Sequence, residues 1–436
     1  MSDFLTDFRT MSEFGATPGG GVERQAASAA DGENRAWFTA WLVENGFEVK
    51  VDAIGNIFGL LETVPGAPYV VVGSHLDSQP LAGRFDGAYG VLAGAHAVRA
   101  AAAAAGGNPA RFNLAVVDWF NEEGSRFKPS MMGSAVFTGI LPVDRALATT
   151  DPEGISVADA LDGISGRGDF GGLDVAAYLE IHVEQGRDLE DTGTTIGLVA
   201  TTWTAHKLEV VVTGEQAHTG AARMVDRRDA LYGAAELIVA ARRLIDGFEP
   251  EQLHTAVSEM YIDSNSPVAI AREVRMLVDI RSPERSVLET AVARLRERMT
   301  EIETQAKVEI EVRGLVEWSS GPFLEEGILL AAAEVERLGY THRRSATVAG
   351  HDATNMKEVV PTIMLFVPSV EGISHNEREF TSDDDMLAGV AVLTSVVSRV
   401  ASGGLRAADA AAASLSAAAS SGASSGAPSS GDGATA

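Results

Sequence analysis

Short apolar runs alternate along the chain with longer segments in which apolar residues recur at helical spacing. The runs around Tyr69-Val70-Val71-Val72, Asn113 to Phe120 (NLAVVDWF), AYLEIHVEQG and PTIMLFVP predict buried strands. The Ala-rich stretch Gly87 to Ala105, the stretch Glu325 to Leu338 and the segment from Asp383 predict helices. Trp37, Phe38, Trp41 and Leu42 predict a helix from Glu23 that Gly46 closes, followed by strands at Phe47 to Val51 and Gly55 to Leu61. Strand, loop and helix in alternation predict an α/β fold, a parallel or mixed sheet with helices on both faces.

Near Lys207 the texture changes to a strand-helix-strand-strand-helix-strand order: KLEVVVTG, Asp226 to Leu244, 254 to 262, Val274 to Ile280, Pro283 to Thr300 and Val308 to Val312. That order predicts a small α+β layer able to stand as a domain. The expected organisation is a flexible arm over 1–22, a first domain in two parts, 23–206 and 322–401, an inserted domain over 207–321, and a tail over 402–436. The arm ends in GATPGGG without a clear period and is expected to carry a short helix, and residues 139 to 172 read as helical turns and surface loop. The tail is nearly all Ala, Ser and Gly and is expected to be disordered.

Composition narrows the partners. A length of 436 residues favours two domains over one core, and 45% hydrophobic residues suffice for burial. A formal net charge of −27 repels nucleic acid and anionic membranes. The chain has no cysteine, so any metal is held by His and carboxylates. MSDFLTDFRTMSEF has acidic residues where a secretory signal has a basic start, and Val91 to Ala105 is too short and too interrupted to span a bilayer. The expectation is a cytoplasmic protein with a small-molecule substrate and neither nucleic acid nor membrane as partner.

Candidate chemistry gathers at the predicted strand ends. In GSHLDSQPLAGRFDGAYGV, His75 and Asp77 lie two apart and share a face of an extended strand, and the glycines at 83, 87 and 90 let the chain bring Asp86 back. Taken alone, this stretch fits a divalent-metal site and a plain polar loop about equally. The pair Glu122-Glu123 follows an apolar strand, and one of its carboxylates could ligate a metal while the other moves a proton. His182, with Gln185 close behind it, and His375 in GISHNE add two imidazoles.

These motifs carry a resemblance. GSHLDSQP with FDGAYGV, FNEEGSRF, HVEQG, GEQAHTG with MVDRRDAL, VDIR, AGHDA and GISHNE resemble, in this order, the amidohydrolase branch of the M20 metallopeptidase superfamily. That branch holds N-carbamoyl-L-amino acid hydrolases, β-ureidopropionases and allantoate amidohydrolases. The resemblance covers about residues 22 to 400 and implies a mixed-sheet di-metal hydrolase domain with an inserted α+β lid that also forms a homodimer. It implies two divalent ions per subunit (Zn, Mn, Co or Ni) held by His75, Asp86, Glu123, His182 and His375, with Asp86 bridging. Glu122 would be the general base acting on a metal-bridged water, Asp77 would fix the tautomer of His75, and His218 would stabilise the oxyanion. Gln185, Arg281, Gly350 and His351 would hold substrate, Arg281 by a bidentate grip on its carboxylate.

Departures from the family pattern fall on substrate recognition. Val268 stands where the family has Asn, Val348 where it has Gly, and Arg223 is added beside His218. The leading expectation is hydrolysis of an N-carbamoyl amino acid or related ureido acid. An N-acyl-amino-acid or other amide hydrolase is the competitor within the same chemistry. A catalytically silent binding protein is the remote alternative, and it would be favoured by loss of a ligand or of Glu122, all of which are present.

Overall fold

The computed structural model describes residues 2–104, 110–318 and 321–422. Its strands are β1 (Glu48–Val51), β2 (Ile57–Leu61), β3 (Tyr69–Ser74), β4 (Asn113–Asp118), β5 (Val175–Val183), β6 (Ile196–Thr202) and β7 (Thr204–Thr213). They continue with β8 (Ala217–His218), β9 (His254–Asp263), β10 (Ala269–Ile270), β11 (Glu273–Ser282), β12 (Glu309–Trp318), β13 (His342–Thr347) and β14 (Thr362–Val367). The chain divides into two compact units, one of 1–200, 323–345 and 350–436, the other of 201–322 and 346–349.

The first unit is built on a mixed sheet of order β1-β2-β4-β3-β5-β14-β6-β13. Its centre is parallel, β4 with β3, β3 with β5 and β5 with β14, whereas β1, β2 and β6 pair antiparallel. All residues of β4, β5 and β14 are buried, as expected of parallel strands covered on both faces. Helix Ala88–Ala104 packs on this sheet and on helix Asp383–Ala401. It sits so close that a Cβ at Gly90 would stand 2.3 Å from the carbonyl oxygen of Ile181. After β3 the chain goes to β4 on one side and later to β5 on the other. This reversal opens a crevice at the carboxyl ends of β3, β4 and β5, where α/β sheets place their chemistry.

The second unit is a four-stranded antiparallel sheet of order β12-β7-β11-β9, packed on helices Ala230–Arg243 and Arg285–Ala306. Its core joins Leu208, Val210 and Val212 to Leu237, Ile280, Leu295 and Ile302. The expected strand-helix-strand-strand-helix-strand order is present, with the small ribbon of β8 and β10 added.

Both chain ends depart from expectation. Residues 1–22 were expected as a flexible arm with a short helix; the helix is present as Ser2–Met11, but it is not loose, since it places Phe4, Phe8 and Met11 in the core of the first unit. These positions are spaced i, i+4, i+7, one apolar stripe of a helix, and Phe4 lies edge-on to Tyr89. Helix Arg406–Gly422 replaces the first part of the tail expected as disordered, with Leu405 and Ala408 fully buried and Arg111 paired to Asp409 at 2.9 Å. Alanine has the highest helix propensity and packs closely without a large side chain, so a composition poor in bulky residues still orders. Residues 423–436 of that expectation lie outside the described residues. Among the described residues no single helix is long and apolar enough to cross a membrane.

Phe8→Ala is expected to lower the unfolding free energy by about 3 to 5 kcal/mol in urea titrations, the usual effect of deleting a buried aromatic side chain. Unchanged stability would return residues 1–22 to the status of a loose arm.

Candidate metal centre

Where β3 ends at Ser74, the next residue, His75, is buried and sets its Nδ1 3.0 Å from the carbonyl oxygen of Asp77. That bond places the proton on Nδ1 and leaves Nε2 free to ligate, 3.4 Å from Asp86 Oδ1 and 3.5 Å from Glu122 Oε2. His182, the penultimate residue of β5, is oriented by a carbonyl in the same way, while its Nε2 accepts the Gly87 N–H at 3.1 Å. Its Nδ1 meets the Val183 carbonyl at 2.8 Å and its Nε2 lies 3.0 Å from Asp86 Oδ1. The other Asp86 oxygen, Oδ2, faces His375 Nε2 at 3.3 Å, and His375 in turn faces Glu123 Oε2 at 3.4 Å. Two groups of ligand atoms result, His75-Asp86-His182 and Asp86-Glu123-His375, each within 4.8 Å, and they share Asp86.

Local backbone makes this convergence possible. Gly87 has φ +64°, and a Cβ there would stand 2.3 Å from the His75 ring. Asn121, Gln185 and His375 also take left-handed conformations, with φ of 53°, 57° and 52°, a local cost that packing around a site can sustain.

The electrostatics of the cluster are dominated by burial and by its crowd of carboxylates. Burial pushes the Glu122 carboxyl well above the usual range, with Asp352, Glu123 and Asp86 adding to it against the pull of His75. Burial also raises Glu123, reinforced by Asp86. Asp86 is the exception: burial opposes its ionisation, yet His182, His375 and His75 hold it well below the carboxylate range. Burial opposes charge on His375 as well, but Asp86 and Glu123 lift it to about 9. Imidazoles oriented by carbonyl groups and converging with carboxylates fit a divalent cation of borderline hardness.

Asp77 departs in part from expectation. Its backbone carbonyl, rather than its carboxylate, holds His75 Nδ1, while the carboxylate stands 3.6 Å away. The carboxylate instead accepts the N–H groups of Glu122 at 3.1 Å and Glu123 at 3.3 Å, anchoring the turn that carries both. Gln79 completes the hold on Glu123, donating its side-chain amide to Oε2 at 3.0 Å. Gln185, expected to contact substrate, donates to Asp86 Oδ2 at 2.6 Å and to Ser374 Oγ at 3.0 Å. Gly350 leads into His351, which is buried, lies with its ring centroid 4.5 Å from that of His182 at a tilt of 59°, and leaves Nε2 without a hydrogen-bond partner among the described residues.

His218 and Arg281 belong to the second unit and to neither ligand group. Exposed His218 accepts the N–H groups of Gly220 and Ala221 on Nδ1, at 3.0 and 3.1 Å, so Nε2 carries the proton. Arg281 makes its bidentate bond to Asp279, at 2.8 and 2.7 Å, and donates a third to the Val348 carbonyl at 2.8 Å. Its fork, expected to grip a substrate carboxylate, is thus engaged by its own strand neighbour. Val268 is 60% exposed, and its carbonyl accepts the Thr219 N–H.

Several buried groups escaped the sequence reading. Glu379 accepts the N–H groups of Phe85 and Asp86 on one oxygen, at 3.0 and 2.9 Å, and Glu180 accepts from Ser74 Oγ and Ala353 N–H. Asp352, also buried, accepts from Ser134. Glu180 was within reach of strand period, since it lies two residues before His182 on the same face. No spacing rule marks Glu379.

Comparison with known proteins identifies the family. Residues 71–399 match the family model for peptidase family M20/M25/M40. A putative hydrolase of Mycolicibacterium smegmatis is 54% identical over 94% of this chain and 95% of its own length. An N-carbamoyl-L-amino-acid amidohydrolase of Rhizobium meliloti is 36% identical over 90% of this chain and 94% of its own. The crystal structure of an amidase of the hydantoinase/carbamoylase family from Burkholderia vietnamiensis superposes with a TM-score of 0.87 at 35% identity, covering 92% of this chain and 97% of that one. The chain therefore belongs to peptidase family M20/M25/M40, among its amidohydrolases, as a hydrolase of non-peptide C–N bonds.

Proposed function

We propose that this metal-dependent amidohydrolase cleaves N-carbamoyl amino acids or closely related ureido acids, with Glu122 as general base. One observation carries the proposal: the buried Glu122 carboxylate stands 3.5 Å from His75 Nε2, the atom that also faces Asp86, while belonging to neither ligand group. Two divalent ions, held by His75, Asp86 and His182 and by Asp86, Glu123 and His375, would supply Lewis acidity and a water of lowered pKa. Zn, Mn, Co and Ni all suit these donors.

Glu122 takes a proton from the attacking water and returns it to the departing nitrogen. Burial raises the Glu122 carboxyl well above the usual carboxylate range, which strengthens it as a proton acceptor. Asp77 keeps Glu122 and Glu123 apart in their two roles through the N–H groups it binds. Within the first unit, Gln185 and Gly350-His351 serve the substrate, through the Gln185 Oε1 and His351 Nε2 atoms that have no hydrogen-bond partner among the described residues. For a carbamoyl substrate, addition of one water yields the amino acid, carbon dioxide and ammonia. The relatives named for N-carbamoyl amino acids support this substrate class, and apolar Val268 supports the second reading, an N-acyl amide hydrolase.

The reading includes a cytoplasmic homodimer. It is supported by the absence of cysteine and by apolar residues exposed on the second unit: Leu231, Tyr232 and Val239 on one helix, and Met260 and Tyr261 on the edge strand β9.

A panel of N-carbamoyl, N-formyl and N-acyl amino acids is expected to give ammonia only from the carbamoyl members, lost on chelation and regained with metal; amine release without ammonia from acyl members would favour the second reading. Glu122→Gln is expected to keep its metal and lose about 10²- to 10⁴-fold in kcat, the usual worth of a positioned general base. Full activity in the metal-loaded variant would remove Glu122 from that role. In sedimentation the wild type is expected as a dimer and Tyr232→Glu as a monomer, whereas a monomeric wild type would end the dimer reading.

A further inference from the structure

Leu76 is the peptide between His75 and Asp77, and it lies beyond β3, where the strand ladder no longer satisfies its backbone. The residue is fully buried, so its N–H and C=O both need partners from within the protein. Each partner is a buried charged side chain. Asp118, the last residue of β4, accepts the Leu76 N–H on Oδ1 at 2.9 Å, and its other oxygen is paired to Arg35 Nη1 at 2.6 Å. Arg24 donates Nε to the Leu76 carbonyl at 2.9 Å.

Arg24 is itself 1% exposed and is locked from two further directions. Its Nη1 donates to the carbonyls of Met11 and Phe14, at 3.1 and 3.2 Å, where helix Ser2–Met11 ends. Its backbone N–H goes to Ser78 Oγ at 3.0 Å, and its carbonyl receives the Ser78 N–H at 3.1 Å. The guanidinium therefore joins the N-terminal helix to the loop His75–Ser78 through a rigid fork, which a lysine ammonium on a flexible stem does not reproduce.

We propose that Arg24 is a positioning residue of the metal centre. By holding the Leu76 peptide against Asp118, it fixes the orientation of His75, which ligates, and of Asp77, which anchors the Glu122-Glu123 turn. It touches neither metal nor substrate. The proposal rests on the two-metal reading, and it gives the N-terminal segment a role in assembling the site.

The test loads the full-length protein with Co²⁺ and challenges it with a chromophoric chelator while the visible d–d spectrum is recorded. Arg24→Met is expected to hold cobalt about 10- to 100-fold more weakly, the usual effect of losing a partner behind a ligand, with an altered d–d spectrum. Arg24→Lys should fall between that variant and the wild type. Val396→Ala, a core truncation on helix Asp383–Ala401, should lose stability and keep both the affinity and the spectrum. Wild-type affinity and spectrum in Arg24→Met would overturn the proposal whatever its melting temperature. If Arg24→Met is recovered only unfolded, unchanged affinity in Arg24→Lys overturns it instead. A wild type that binds no cobalt overturns the two-metal reading and this inference with it.

Discussion

A single buried carboxylate organises the first unit. Asp86 stands among three imidazoles, two on one of its oxygens and one on the other. An ionised carboxylate so deep in the protein is costly unless it is paired and hydrogen-bonded. Here Gln185 and Ser374 donate to its free lone pairs, and Glu379 clamps the backbone that presents it. The positive charge Asp86 demands can come from protonated imidazoles or from cations, and the orientation of His75 and His182 by carbonyl groups suits the second.

The fold delivers these groups by simple means. Parallel strands buried on both faces end at one edge of the sheet, so His75, His182 and the Glu122-Glu123 turn leave β3, β5 and β4 at the same level. Backbone beyond the last ladder pair lacks partners, and charged side chains supply them: Asp77 to the glutamate turn, Asp118 and Arg24 to Leu76, Glu379 to Phe85 and Asp86. The candidate ligands are thus supported mainly through main-chain amides and carbonyls, which side-chain motifs do not display.

That explains what was legible in the sequence. The buried strands were plain because their apolar runs admit little else, and the ligand candidates were plain because His and carboxylates at strand ends are uncommon company. The support was hidden. Arg24 and Asp118 act on a backbone 52 and 42 residues away, respectively, a distance that no local pattern reports. Asp77 was assigned its general neighbourhood, but the choice between its carbonyl and its carboxylate depends on a loop conformation that side-chain spacing does not encode. The chain ends misled for a different reason: Phe4, Phe8 and Met11 form too short a stripe to stand out, and an alanine-rich helix resembles a low-complexity tail until its packing is seen.

Diffraction from crystals of the metal-loaded protein, collected at the metal's absorption edge, tests the central claim most directly. Two anomalous peaks are predicted, one against His75 and His182, the other against Glu123 and His375, with the Asp86 carboxylate between them. A single peak, or peaks away from Asp86, would contradict the account.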